Sequence, residues 1–248
     1  MKKSVLIIST LLIGILLVIP SCDDNGRSLG DIYISIATVV SEKENDAYFL
    51  LLDDGTRLWP TEGNVKYPAN ENQRVFLNYT LLGHTSWSST NKDYDIKVND
   101  IWNILTKQAI ELNAINEDSI GNDPVRIKDI WIGGDYLNVS FLFNYGGVKP
   151  HLINLVENTL SSGASADAID LEFRHNAFES TQTKLYEGFV CFDLKPFRKD
   201  NASSVNLSIK ARGWNGEITY EMVYRYDQSV AEKTNRTVTP VISSSEYY

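Results

Sequence analysis

Apolar and polar residues alternate with a period of two along much of the chain, which predicts strands rather than helices. Ile32, Ile34 and Ile36 alternate with Tyr33 and Ser35, and Ala47 to Leu52 forms a second apolar run that closes on Asp53-Asp54-Gly55. Asp54-Gly55 tolerates the positive φ of a tight primed turn, so a hairpin is expected there. Thr56 to Trp59 supplies a third strand stopped by Pro60, and Arg74–Leu82 and Asp95–Leu105 supply the fourth and fifth. From Thr106 to Asn122 the alternation is lost, Glu111, Glu117 and Asp118 accumulate, and the turn formers Gly121-Asn122-Asp123-Pro124 follow. A short helix near Thr106–Asn116 and a domain boundary are expected in this stretch.

Beyond the boundary, strands recur at roughly the 8–12-residue spacing of an all-β sandwich. They are expected over 125–132, 136–143, 148–157, 169–174, 185–194, 205–214 and 217–226, with Asn215-Gly216 as a type I′ hairpin pair between the last two. The chain is therefore all-β, with a five-strand domain over 31–106, a linker over 107–122, a β-sandwich over 123–227 and a tail over 228–248. The tryptophans Trp59, Trp102, Trp131 and Trp214 lie in or at the ends of apolar strand runs, where core packing is the expectation.

The N-terminus follows a different pattern. Lys2 and Lys3 precede an uncharged apolar run from Val5 to Ile19, shorter than the ~18 residues a spanning helix needs, and Pro20-Ser21-Cys22 follows. This is the layout of a lipoprotein signal over 1–21, with Cys22 the residue to be acylated and 22–30 a polar tether. The implied location is the cell envelope, lipid-anchored, and the membrane is the partner through that anchor. Losing Lys2 and Lys3 takes the formal charge from -9 to -11. Unneutralised carboxylates oppose binding to phosphodiesters, which argues against nucleic acid as a partner.

Candidate chemistry narrows the field further. With Cys22 acylated, Cys191 has no disulfide partner, and its apolar strand run reads it as a small buried hydrophobe rather than a nucleophile. No Gly-x-Ser-x-Gly elbow, His-Glu-x-x-His or phosphate-cradling loop occurs, so no catalytic residue, cofactor or metal is expected. Asp53 and Asp54 carry oxygens that calcium accepts, but turn chemistry accounts for them. His84, His151 and His175 are far apart in sequence, and a hydrolase would need two of them, or carboxylates, to converge in a pocket. Arg174-His175-Asn176 is a polar cluster expected just past a strand, readable as a binding loop or as a turn in which Asn176 bonds its own backbone.

The segments Leu51-Leu52-Asp53-Asp54-Gly55-Thr56, Gln73–Tyr79, Ile104–Lys107, Asp123-Pro124-Val125 to Ile130-Trp131, Tyr136–Val139 and Leu171–Asn176, behind a lipoprotein signal, resemble those of the NigD-like lipoproteins of Bacteroidetes-type bacteria. The resemblance covers most of the mature chain and implies an N-terminal OB-type barrel followed by a C-terminal β-sandwich. It brings no catalytic residues, and a family role in bacteriocin immunity or secretion has been suggested from gene-cluster context. Cys22-Asp23-Asp24 is similar to the acidic stretch that sends many lipoproteins of these bacteria to the outer face of the outer membrane, which implies an outer-membrane anchor with surface exposure, and Asn25 departs from that stretch. On an OB-type barrel, Gly83 to Tyr94 is the loop that, with neighbouring strand faces, binds oligosaccharides or oligonucleotides. Its Trp87 and Tyr94, with His84, are candidate ligand contacts; Trp87 as a plug over the barrel mouth is the alternative. Asp118-Ser119-Ile120 is similar to the short O-glycosylation pattern of these bacteria, which makes Ser119 a candidate acceptor. Together these readings lead to a non-enzymatic binding module for a glycan or protein ligand. A bacteriocin or toxin immunity or secretion-associated lipoprotein is the alternative, and a hydrolase the weaker one.

Overall fold

In the first five strands the side chains that alternate inward are apolar, and the sheet closes on them. The computed structural model describes residues 32–42, 47–63, 65–86, 88, 91–146, 149–158, 168–180 and 184–226. Strands β1 (Ile32–Ser41), β2 (Tyr48–Leu52), β3 (Arg57–Glu62), β4 (Arg74–His84) and β5 (Asp93–Asn103) form a closed barrel in the order β1-β2-β3-β5-β4. Its interior is Ala37, Val39, Leu50, Leu58, Val75, Leu77, Ile96 and Val98. Pairing of β3 with β5 is parallel, so residues distant in sequence share a rung. Pro60 does not stop β3: the strand runs to Glu62 through a register irregularity between Pro60 and Glu62, a place where a missing N–H is tolerated.

Both expected hairpins form; the first keeps Asp54-Gly55 in its turn, and the second is shifted by one residue. At the first, the Gly55 amide donates to Leu52 O (3.0 Å) and the Leu52 amide to Thr56 O (2.8 Å), and Gly55 has φ 82°. This is a three-residue loop closed by a left-handed glycine rather than a primed two-residue turn. At the second, Gly213 pairs with Gly216, so Trp214-Asn215 occupy the centre and the expected register is off by one. Trp214 is consequently 42% exposed in the turn, and Trp102, on the outward side of β5, is 45% exposed. Neither is a core residue, contrary to expectation, because Trp214 lies in a turn and Trp102 where the pleat faces solvent.

The stretch 107–122 is not a linker. Strands β6 (Leu105–Gln108) and β7 (Ile110–Leu112) pair parallel with the later strands β12 (Leu185–Asp193) and β10 (Leu152–Asn158), one in each sheet of the sandwich. The expected helix near Thr106–Asn116 is absent; a single helical turn, α1 (Glu117–Ile120), follows instead. Alternation is weak here because three- and four-residue strands are held by distant partners rather than by local pattern. With β8 (Arg126–Gly133), β9 (Tyr136–Asn144), β11 (Ala168–Asn176), β13 (Ser204–Gly213) and β14 (Gly216–Arg225), the sheets have the orders β14-β13-β11-β10-β7 and β6-β12-β9-β8. Between them lies a core that includes Leu137, Phe141, Phe143, Leu155, Phe173, Phe192 and Leu207. Among the described residues no helix is long and apolar enough to cross a membrane.

Barrel and sandwich meet in a joint that is apolar around a polar centre. Phe76 and Ile104 from the barrel pack with Tyr136, Phe189 and Cys191 from the sandwich, and the Phe76 and Phe189 rings lie edge-on at 5.0 Å. At the centre Arg74, fully buried, donates to both oxygens of Asp53 (2.6 and 3.0 Å), to Thr38 Oγ1 (3.0 Å) and to Asn138 Oδ1 (3.1 Å). Its guanidinium also sits 4.8 Å from the Tyr136 ring centroid. Burial opposes the charge of Arg74, but Asp53 outweighs it and the pKa moves up. Gly133 makes this possible: a Cβ there would stand 2.0 Å from Asp53 Oδ2.

Cys191 is buried in the same joint, its thiol donating to Asn138 Oδ1 at 3.1 Å, and burial pushes its pKa up to about 11. A neutral, inaccessible thiol does not react. Cys191 is therefore expected to resist a maleimide reagent in the native protein and to label within minutes in denaturant. Native labelling at the denatured rate would mean that the joint opens readily.

Candidate functional site

Because Leu50, Leu58, Ile96 and Val98 point into the barrel, the intervening residues of β2, β3 and β5 face outward, and the pairing aligns them in rows. One row runs Leu51, Arg57, Asp93 and Thr85; the next runs Phe49, Trp59, Asp95 and Gly83. The first is an ionic knot. Arg57 reaches Asp93 through Nη2 (2.8 Å) and Nε (2.7 Å), the Trp59 indole N–H donates to Asp93 Oδ1 (3.1 Å), and Ser88 Oγ donates to Asp93 Oδ2. The Thr85 amide donates to Asp93 O (3.1 Å), and Lys92 Nζ donates to Asp54 O (3.0 Å). A buried carboxylate with several donors is well compensated, so this knot anchors the foot of the β4–β5 loop.

The second row is aromatic at its β2–β3 end. The Phe49 and Trp59 rings lie 4.8 Å apart, so Trp59 is a half-buried surface platform rather than the core residue expected. The sequence placed the ligand contacts in the loop and missed Arg57, Trp59, Asp93 and Asp95, which the parallel β3–β5 pairing assembles. Of the loop candidates, His84 and Tyr94 are cross-strand partners whose rings lie 4.3 Å apart at the barrel's end, His84 exposed and Tyr94 half-buried. Trp87 lies outside the described residues, as does Cys22.

Arg174-His175-Asn176 lies inside β11, not past its end, because the strand continues pairing with β10 as far as Asn176. Arg174 is buried against Glu172, and Asn176 holds a turn: its Oδ1 accepts from the Phe178 amide (2.8 Å) and its Nδ2 donates to Ser119 O (2.9 Å). His175 meets His151, with Nε2 and Nδ1 2.9 Å apart, and the Phe143 and Tyr145 rings close over His151. Two histidines thus converge, but in the core of the sandwich rather than in a pocket. Burial and then His151 push the His175 pKa down to about 4, and burial lowers that of His151 against the pull of Asp123. Ser119 is exposed, but on α1 rather than in a linker, and its Oγ donates to Asn116 O (2.8 Å).

Comparison with known proteins agrees with this architecture. Residues 36–104 match the family model described as the NigD-like N-terminal OB domain, and residues 108–224 match the NigD-like C-terminal beta sandwich domain. A solved structure from Parabacteroides distasonis, named as a candidate toxin-related protein, is 36% identical over 80% of this chain and 96% of its own, with TM-score 0.67. A NigD-like immunity protein from Bacteroides caccae is 18% identical over 78% of this chain and 96% of its own, with TM-score 0.59. A candidate lipoprotein from Bacteroides fragilis is 10% identical over 79% and 98%, with TM-score 0.51. No curated protein sequence matches the chain.

Proposed function

The chain belongs to the NigD-like family, and from that premise we propose that it is a lipid-anchored, non-enzymatic binding module of the cell envelope. Cys22 carries the anchor at the outer membrane, and the barrel presents its outer face and the β4–β5 loop to a glycan or protein outside the cell. The observation that carries this reading is the aromatic row of Phe49 and Trp59 beside a loop whose foot is fixed on Asp93. Rigid aromatic surface gives contact area at small entropic cost, and side chains already held at the foot of the loop have little ordering to do on binding.

The test is retention of the purified acylated protein on arrayed polysaccharides and arrayed envelope proteins. Trp59→Ala and Trp87→Ala should each weaken retention about tenfold, the loss of one aromatic contact worth about 1.4 kcal/mol, with unchanged circular dichroism. Retention indifferent to both moves the site off this face. A second reading, toxin or bacteriocin immunity, is favoured by the names of the Parabacteroides and B. caccae relatives. It differs in requiring a deletion strain to become more sensitive to its neighbours' bacteriocins.

A further inference from the structure

The sheet edges of the sandwich are not treated alike. An edge strand offers unpaired N–H and C=O groups to any strand that comes beside it, and folds blunt such edges by shortening them, bulging them or breaking them with proline. Among the described residues the sandwich has edges at β6, β7, β8 and β14. Strand β6 has four residues and β7 three, and β8 has a register irregularity between Ile127 and Asp129. Strand β14 has none of these protections: its ten residues include no proline, and its pairing with β13 is continuous from Gly216 to Arg225. The Tyr226 amide donates to Ser203 O (3.0 Å), so the even-numbered residues of β14 turn their backbone groups to β13 and the odd-numbered ones turn theirs outward. The inner side of the strand is incompletely covered, because its sheet has five strands and the facing sheet four. Ile218 is 46% exposed, and Tyr220 and Met222 are half-buried, whereas Tyr224 is fully buried.

We propose that β14 pairs antiparallel with β14 of a second copy of this chain, about a two-fold axis at Val223. The contact lies in the sandwich and does not depend on what the barrel binds. A closed two-fold contact requires a patch complementary to itself. Val223, 45% exposed, stands midway between Glu221 and Arg225, so a strand turned about it sets Val223 against Val223 and each Glu221 against the Arg225 of the other copy. All are odd-numbered residues, and each opposed pair exchanges both of its backbone hydrogen bonds. Ser208 Oγ donates to Glu221 Oε1 (3.0 Å), which holds the carboxylate on the outer face of the sheet, the face that Arg225 shares. Opposite charges directly across a pair stabilise it and like charges destabilise it, so the charges also fix the register. A slip of two residues in either direction leaves Glu221 and Arg225 without an opposite partner. A slip of four sets Glu221 against Glu221 or Arg225 against Arg225.

The test is sedimentation equilibrium of the full mature chain carrying Cys22→Ser, which keeps lipid out of the measurement. A monomer–dimer equilibrium is expected, half associated below about 1 mM, the weak end of specific recognition. Val223→Pro removes an N–H that β13 does not use and should weaken association tenfold or more at unchanged circular dichroism. Glu221→Arg should also weaken it, and Glu221→Arg combined with Arg225→Glu should restore it, a comparison that stands even if the proline variant does not fold. Under mild oxidation Val223→Cys should give a disulfide-linked dimer and Thr219→Cys should not, Cys191 being buried. A chain still monomeric at about 1 mM overturns the proposal. So does a dimer indifferent to Val223→Pro and to Glu221→Arg, or one that Val223→Cys fails to cross-link. A monomer whose retention on arrayed envelope proteins is lost with Val223→Pro overturns it in favour of a strand from a different protein.

Discussion

Asp53→Ala is expected to lower folding stability by about 3 kcal/mol, read as a fall in the urea midpoint at unchanged slope. The reason is what it leaves behind. Arg74 is fully buried, its ion pair with Asp53 spans the barrel side of the joint, and Thr38 and Asn138 are neutral acceptors that cannot replace a carboxylate. Breaking a buried pair by removing one partner typically costs 3–5 kcal/mol; the lower end applies because the Asp53 side chain is 26% exposed and water can enter. Arg74→Met should cost less, since Asp53 then keeps access to solvent and methionine fills much of the vacated volume. Equal losses in the two variants would mean that shape, not charge, holds the joint.

A second large effect follows from the histidine pair. His175 is held at about 4 against an unfolded value near 6.5, so below pH 6.5 the unfolded chain takes up a proton that the folded one refuses. Stability contributed by the neutral pair is whole above pH 6.5 and is lost as pH falls toward 4, about 2 kcal/mol of it by pH 5 and about 3 in full. His151 acts in the same direction, and Asp123, which pulls both pKa values up, tempers it. Urea midpoints measured between pH 7 and 5, above the range where carboxylates titrate, should show this slope, and His175→Leu should flatten it. A flat wild-type profile would falsify the assignment of a neutral buried pair.

How far each feature was legible depends on whether its cause is local. Ile32, Ile34 and Ile36 alternate, and Gly55 marks a turn, so the barrel strands could be read within windows of a few residues. The residues after Asn103 could not, because Leu105 and Ile110 are strand residues by virtue of Val190 and Val156. The same holds for the site. His84 and Tyr94, singled out as residues of a polar loop, are paired strand residues at the ends of β4 and β5, and Trp59 looked like a core residue until β5 came alongside β3. His151 and His175 sit in different apolar runs, and only the β10–β11 pairing makes them neighbours. Asp53 reads as turn chemistry, and its role as the counterion of Arg74 depends on the absent side chain at Gly133, a residue of the other domain.

The pairing of β6 and β7 also orders events as the chain is synthesised N-terminus first. The barrel has all its strands once Asn103 has emerged and can close at once. Leu105 must then wait for Val190, some 85 residues downstream, before its backbone groups find their ladder. Long-range pairing of this kind is slow and leaves strand edges open to association in the meantime. Synthesis therefore passes through an intermediate with a finished barrel and an unfinished sandwich, and the risk of association is greatest in that interval.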